Sequence, residues 1–164
     1  MPRLPFVMQH QHHTKWCWAA VTVSVDDFLS AAGQTQCQLV SAFFPALGCC
    51  HTPLPRVCNR SYSVRVSLDA VGLLDAGTSQ RGLAAFRVVD GEMSQGQPIV
   101  LRLRWSSGTT GHAAVISGTH VDAQGIPWFH TEDPWYGPGN WRAHQFPQRY
   151  HVPAWCFETL MTHP

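Results

Sequence analysis

Residues 16–20 of the chain are Trp-Cys-Trp-Ala-Ala, and Gln11 stands six residues before Cys17. This stretch decides the fold because apolar residues recur at helical spacing from Cys17 to about Ala32, which predicts a helix that begins at the cysteine. The unpaired N–H groups at a helix N-terminus and the positive end of its dipole stabilise a thiolate. We therefore interpret Cys17 as a nucleophile whose base and orienting residue come from other segments.

The composition indicates one folded domain over residues 1–164. Hydrophobic residues make up 45% and charged residues 13% of the chain, which disfavours disorder, and the length suffices to bury a core. A formal net charge of +1 gives no electrostatic case for nucleic acid or an anionic membrane as a partner. No stretch approaches the ~20 apolar residues that span a bilayer, and residues 1–8 lack the apolar region of a signal peptide.

Four of the six cysteines fall between positions 37 and 58. This clustering predicts one or two disulfides that fasten a loop, and hence an oxidising destination. We favour a bond from Cys37 to one member of the adjacent pair Cys49 and Cys50, and a bond from Cys58 to the other. Reduced thiols in a buried corner are one alternative. A zinc site is another, although Cys49-Cys50 lacks the C-x₂₋₄-C spacing of zinc ligands.

The order of the predicted elements indicates an α+β fold with helices early and antiparallel strands late. Helices are predicted over residues 17–32, 35–44 and 68–76, with a cysteine-rich loop over 45–64. Strands are predicted over 99–105, 112–117, 128–131 and, as an edge strand, 152–160. We expect a helical lobe of about residues 1–80 and a sheet lobe of about residues 81–164, with the active site between them.

The sequence also predicts the conformation of the segments that connect these elements. Residues 1–13 are expected to be extended, because Pro2 and Pro5 oppose a helix. Thr14 is suited to the entrance of the first helix and Gly33 to its end. A polar turn is expected over residues 106–111 and a turn-rich loop over 133–139.

His112 and Asp133 are the candidates for base and orienting residue. His112 opens one predicted strand and Asp133 follows the next, and the ends of adjacent antiparallel strands lie side by side. In that arrangement the imidazole takes the thiol proton and the carboxylate holds its tautomer. The Cys17 N–H and the Gln11 amide are candidate donors to an oxyanion. Glu132 would face away from Asp133 on an extended segment, and Asn140 lies further along the loop.

The motifs together resemble papain-like cysteine peptidases. The resemblance is closest to the bacterial branch that contains AvrRpt2-type effector proteases and bacteriocin-leader peptidases, and it covers roughly residues 9–140. It rests on Gln11-x₅-Cys17-Trp18, Gly111-His112-Ala113 and Asp133-Pro134-Trp135-Tyr136-Gly137. The resemblance implies a two-lobed papain-like fold, Cys17 as nucleophile, His112 as general base, Asp133 as orienting acid and Gln11 in the oxyanion hole. Plant-type papains have Asn where this chain has Asp133.

Further site residues are candidates for the walls of the cleft. The resemblance implies that aromatic residues such as Trp135 and Trp141 cover the Cys–His pair. The remaining cleft candidates are Trp16, Trp18 and Gly111. His10, His12 and His13 surround Gln11, but no partner ligands are identifiable, so we expect neither a metal nor a cofactor.

The expected activity is that of a cysteine endopeptidase acting on a protein or peptide. A bacterial effector or interbacterial toxin, secreted or delivered into a target cell, fits this expectation. Only 16 residues precede the nucleophile, so we expect no inhibitory propeptide and a cognate inhibitor or immunity protein instead. Two alternatives stay open: a deamidase or transglutaminase-like toxin with the same Cys-His-Asp site, and a non-catalytic binding domain on a peptidase scaffold.

Overall fold

The computed structural model describes residues 3–108 and 111–164, and within them the fold is α+β, as predicted. The helices are α1 (Cys17–Ser30), α2 (Gln36–Phe43), α3 (Val64–Ala70) and α4 (Phe86–Ser94). The strands are β1 (Leu74–Arg81), β2 (Ile99–Trp105), β3 (Gly111–Val121), β4 (Pro127–Asp133), β5 (Gly137–Arg142) and β6 (Ala154–Thr162). No helix of the described part is long and apolar enough to cross a membrane.

The strands form one antiparallel sheet in the order β1-β6-β2-β3-β4-β5. Strands β2, β3 and β4 confirm the three predicted central strands. The prediction of an edge strand over 152–160 is wrong in its position, because β6 pairs with β1 on one side and with β2 on the other. The edges are β1 and β5, and β5 takes up part of the predicted loop over 133–139. Thr109 and Thr110, in the predicted turn before β3, lie outside the described residues.

The predicted helix over 68–76 is wrong in its second half. Helix α3 begins earlier, at Val64, where the Ser63 side chain accepts from the Val66 N–H at 3.4 Å. It ends at Ala70, because Gly72 adopts a left-handed conformation with φ of 77° that ends the helix. The chain then continues as β1 beside β6. Helix α4 lies in a segment for which no element is predicted from the sequence.

Helix α1 crosses the core and is buried over residues 18–26. Its hydroxyl groups are satisfied internally, as burial requires: Thr22 Oγ1 donates to the Trp18 carbonyl at 2.8 Å and Ser24 Oγ to the Ala20 carbonyl at 2.7 Å. The helix packs against α3 and β3. This packing carries Cys17, its first residue, to the end of the sheet where β3 begins.

The ends of α1 differ in detail from the prediction. Trp16 is the residue at its entrance and provides no side-chain cap. Thr14 does not cap the helix, because its hydroxyl accepts from Asn59 Nδ2 at 2.9 Å. At the other end Ala31, with φ of 52°, takes the left-handed position expected of Gly33.

The segment before α1 forms no helix over residues 3–13, as predicted, but it bends at His12 and His13, and Met1 and Pro2 lie outside the described residues. Arg3 forms a bridge with Gly118 of β3, and the Leu4 N–H donates to the Ser117 carbonyl at 2.8 Å. Further on, the Gln9 N–H donates to Ser24 Oγ at 2.9 Å. The segment therefore ties the sheet to the middle of α1.

Two disulfides fasten the loop between α2 and α3. Cys37 is bonded to Cys50, and Cys49 is bonded to Cys58, which is one of the two pairings that the sequence left open. Cys49 and Cys58 are fully buried. The loop itself contains two short 3₁₀ turns, at Pro45–Leu47 and Arg56–Cys58. Its last residues therefore lie at fixed positions beside α1.

Candidate active site

Cys17, the first residue of α1, lines two neighbouring cavities. The larger cavity has a volume of about 390 Å³ and the smaller about 200 Å³. Both are lined by Cys17, Ser61, Gly111 and His112, and we call the two together the cleft. The Cys17 side chain is half-buried, and no side chain caps the helix N-terminus that it begins. A thiol reachable from solvent thus stands next to unpaired backbone N–H groups.

His112 and Asp133 form a close pair at the floor of the cleft. His112 Nε2 lies 2.6 Å from Asp133 Oδ2, and the two side chains are 7% and 0% exposed. His112 is the second residue of β3 and Asp133 the last of β4, so the pairing of these strands sets the distance. The other ring nitrogen, Nδ1, is left for Cys17.

Four donors converge on the Asp133 carboxylate. Oδ1 accepts from the backbone N–H groups of Trp135 and Tyr136 at 2.7 and 2.9 Å, in the turn before β5. Oδ2 accepts from the Tyr150 hydroxyl at 2.5 Å as well as from His112. A buried carboxylate needs this many partners to stay ionised. Tyr150 is a functional residue that sequence reasoning missed.

The pKa values of the pair follow from these contacts. Burial lowers the pKa of His112, but the hydrogen bonds and charges of Asp133 and Cys17 outweigh burial and raise that pKa to about 9. Burial raises the pKa of Asp133, and the hydrogen bond and charge of His112 more than reverse this, so the net pKa lies below the usual value. Burial and the Asp133 charge raise the pKa of Tyr150, which stays a proton donor. The site therefore favours an ionised Asp133 and the imidazolium form of His112, the form that results when the ring accepts a proton from Cys17.

Trp105 covers the His112 ring. The two rings stack with centroids 4.9 Å apart and planes 26° from parallel. Trp105 is the last residue of β2, and it lines the smaller cavity beside His112. The sequence predicted Trp135 and Trp141 as the covering residues. Trp141 instead donates from Nε1 to Thr131 Oγ1 at 2.9 Å and packs against Tyr150. Trp141 lines neither cavity of the cleft.

Gln11 lies in the wall of the smaller cavity, only 3% exposed. Its backbone N–H donates to the Pro134 carbonyl at 2.9 Å, next to Asp133. Its side-chain amide donates to the His13 carbonyl at 2.8 Å, which occupies one of the two amide hydrogens. The Gln11 amide therefore lines the same cavity as Cys17, and its second N–H can donate to a group bound in that cavity.

The remaining cleft candidates separate into two groups. Trp18 lines the larger cavity, Trp135 lines the smaller, and Gly111 lines both. Trp16 does not line the cleft, because it is buried and donates from Nε1 to the Cys58 carbonyl at 2.7 Å. Trp16 therefore anchors the disulfide-bonded loop to the start of α1.

The alternative orienting residues are engaged elsewhere. Glu132 accepts from Arg3 at 3.1 Å and from Ser117 at 3.3 Å, on the opposite face of β4 from Asp133. Asn140 contacts His130, its cross-strand partner. Neither residue bonds to His112. The histidines around Gln11 also do not converge, and no metal-binding group of side chains occurs in residues 3–108 and 111–164.

Replacing Tyr150 by Phe is expected to lower kcat/KM by about tenfold near the acidic end of the activity range. The hydroxyl stabilises the Asp133 anion by an amount typical of hydrogen bonds to charged groups. Without it the pKa of Asp133 rises, so activity is lost at a higher pH as the solution is acidified. The measurement is the pH profile of kcat/KM. Tyr136→Phe removes a hydroxyl that bonds to no Asp133 oxygen, and an equal shift in that variant would contradict the role assigned to Tyr150.

Two comparisons with known proteins concern the family of the chain. A family model described as papain-like cysteine protease AvrRpt2 matches residues 2–151 of the chain. A search of curated proteins finds no match. The match covers Gln11, Cys17, His112 and Asp133, and also Tyr150. The chain belongs to the family of papain-like cysteine proteases described by AvrRpt2, and it is a cysteine peptidase.

Proposed function

We propose that this peptidase cleaves within polypeptide chains through a triad of Cys17, His112 and Asp133. The observation that carries the proposal is the 2.6 Å pairing of His112 with Asp133 in a cleft that Cys17 also lines. The cleft would lie between a helical lobe of about residues 1–80 and a sheet lobe of about residues 81–164. Two separate cavities that share Cys17 as a lining residue favour an endopeptidase, because they offer room for more than one segment of a substrate chain.

The chemistry is an acyl transfer in two halves. The Cys17 thiol proton moves to Nδ1 of His112, and the thiolate attacks the carbonyl carbon of the scissile bond. The oxyanion accepts from the Cys17 N–H and from the remaining Gln11 amide N–H. His112 then protonates the leaving amine, and a thioester remains. Water, deprotonated by His112, attacks the thioester and releases the acid and the thiol.

The surroundings of His112 stabilise the imidazolium form that the ring takes during the reaction. Asp133 pairs with the cation, and its own carboxylate is held by three further donors, from Trp135, Tyr136 and Tyr150. Such preorganised dipoles stabilise charge without having to move during the reaction. Trp105 limits the access of water to one face of the imidazole. The pair is therefore suited to act as the base in the first half and as the acid in the second.

We further propose that the substrate is a protein of a target cell, to which the enzyme is secreted or delivered as an effector or toxin. The two disulfides support passage of the enzyme through an oxidising compartment. A cognate inhibitor or immunity protein would protect the producing cell.

Labelling with a thiol-directed epoxysuccinate tests the proposed nucleophile. We expect fast labelling of one cysteine in the wild type and none in Cys17→Ala. Cys156→Ala is the matched control, because burial raises the pKa of the Cys156 thiol to about 11 and should leave that thiol inert. Labelling of Cys17 no faster than that of free cysteine at neutral pH would contradict an activated nucleophile.

Mass spectrometry of treated proteins tests the reaction type. Cleaved backbones that are absent with Cys17→Ala support the endopeptidase. A gain of about one mass unit on glutamine without cleavage would instead support the deamidase alternative. Mixtures of ordinary unfolded proteins serve as substrates in this experiment, because the mass change identifies the reaction whichever protein is the natural target.

A further inference from the structure

The charged side chains that line the cleft are all basic. Arg102 and Arg104 line the larger cavity, and Lys15, the single lysine of the chain, lines the smaller. Among the residues that the structure describes, no Asp or Glu lines either cavity. The whole chain carries a formal charge of only +1. The positive charge in the cleft is therefore a local feature, and the general composition does not explain it.

Arg102 is paired with a carboxylate of the protein. Its guanidinium lies 2.5 Å from Glu158 Oε2, and Arg65 lies 2.5 Å from the other oxygen of the same carboxylate. Glu158 is thereby fully occupied by two arginines. Its charge is not available to a third cation, and the pairing holds the Arg102 guanidinium against Glu158.

Arg104 is in a different position. It makes no ion pair within the described part of the chain, and it is exposed. Its guanidinium carbon lies 5.3 Å from the centre of the Trp155 ring and 5.9 Å from that of Phe157. Contacts of this type hold an arginine side chain in place without using its N–H donors. Arg104 therefore presents an orientated and unneutralised cation.

The location of Arg104 connects it to catalysis. On β2 it pairs with Gly111 of β3, the residue directly before His112. Phe157, which supports Arg104, also lines the larger cavity. A substrate side chain that enters this cavity beside Cys17 would meet the Arg104 guanidinium.

We propose that the larger cavity binds an Asp or Glu side chain of the substrate through Arg104, so that the enzyme selects acidic segments of proteins. Arginine matches the geometry of a carboxylate and forms two parallel hydrogen bonds with it. Lys15, in the smaller cavity, favours a second acidic residue of the substrate there, as a less directional charge. The proposal rests on the proposed function, because it assigns the cavity to the chain that Cys17 cleaves.

A peptide library digested by the wild type and by Arg104→Glu tests this selection. Mass spectrometry of the products gives the preference at each position around the cleaved bonds. We expect one position at which the wild type prefers Glu over Gln and Lys by about tenfold or more, a factor typical of a charge-assisted hydrogen bond. In Arg104→Glu the preference at that position should reverse towards Lys or Arg. The Glu preference of the wild type should also weaken in high salt, since the site is exposed.

Arg87→Glu is the matched control. Arg87 lies on α4, is exposed and makes no ion pair in the described residues, so this variant has the same change in net charge away from the cleft. Its preferences should equal those of the wild type. Cleavage without an acidic preference, or with one that Arg104→Glu leaves unchanged, would overturn the proposal while the peptidase assignment stands. Absence of cleavage together with absence of epoxysuccinate labelling would instead overturn the proposed function itself.

Discussion

Replacing Asp133 by Asn is expected to lower kcat/KM by about 10³- to 10⁴-fold, the scale of losing the orienting carboxylate of a triad. The reason lies in the four donors around Asp133. Two backbone N–H groups, of Trp135 and Tyr136, need an acceptor where Oδ1 stands. The amide oxygen of Asn would stay there, and its NH₂ group would face His112 Nε2 and the Tyr150 hydroxyl.

This orientation reverses the hydrogen bond to the imidazole. An NH₂ group donates to Nε2, so the ring proton moves to Nδ1, the atom that accepts the Cys17 proton in the proposed mechanism. The pKa of His112 also falls, because burial lowers it and the opposing carboxylate is gone. The Asn of plant-type papains is therefore no guide to this substitution. The neighbouring donors decide whether the amide oxygen or the amide nitrogen of an Asn faces the imidazole.

The measurement is kcat/KM on any cleaved peptide, with a thermal melt to show that each variant folds. Asp75→Asn is the control, since Asp75 also accepts from two backbone N–H groups in a turn, at 3.0 and 3.2 Å, but lines neither cavity of the cleft. It should retain full activity. Activity of Asp133→Asn within tenfold of the wild type would show that another group orients His112.

Removing the Cys49–Cys58 disulfide by a double alanine substitution is expected to reduce both stability and activity. Loop-closure entropy predicts a loss of about 3 kcal/mol in the free energy of unfolding. The effect on activity has a separate cause. The Cys58 carbonyl accepts from Trp16, the Arg60 carbonyl accepts from Trp18, and Ser61 lines the cleft. A loosened loop would displace both neighbours of Cys17.

The Cys37–Cys50 disulfide provides the control. It closes a loop of similar length, with a sequence separation of 13 against 9, so its removal should cost a similar unfolding free energy. It is more exposed, and no hydrogen bond joins Cys37 or Cys50 to residues 16–18 within the described chain. Urea titration gives the stabilities, and kcat/KM is measured where both variants are folded. Equal losses of activity would mean that the loop acts only through stability.

The residues of the candidate site could be predicted from the sequence because each has a local signal. Cys17 starts an apolar helical pattern, His112 opens a strand, and Asp133 ends one. Strand adjacency then brings His112 and Asp133 together, since their pairing needs only the register of β3 with β4. The exclusion of Glu132 followed from the alternation of side chains along a strand, and the structure shows Glu132 on the opposite face with Arg3.

The parts that could not be predicted depend on contacts between distant segments. Tyr150 lies 17 residues after Asp133, in a turn region with no periodic pattern, and only the folded chain brings its hydroxyl to the carboxylate. In the sequence, Trp105 is one apolar residue at the end of a predicted strand. Only the pairing of β2 with β3 places its ring on His112. The apolar stretch over 68–76 has helical composition, but Gly72 interrupts it and pairing with β6 gives the second half a strand partner. In each case tertiary contacts override local preference.

The disulfide-bonded loop places opposite oxidation requirements on neighbouring cysteines. The proposed catalysis needs the Cys17 sulfur reduced, whereas the loop beside it holds four sulfurs in disulfides. A strong thiol reagent, added to keep the nucleophile active, would therefore also attack the bonds that shape the cleft. An oxidant that protects those bonds would convert Cys17 to a sulfenic acid or a mixed disulfide. The proposed mechanism therefore confines turnover to a window of redox potential in which Cys17 stays reduced while both disulfides stay oxidised.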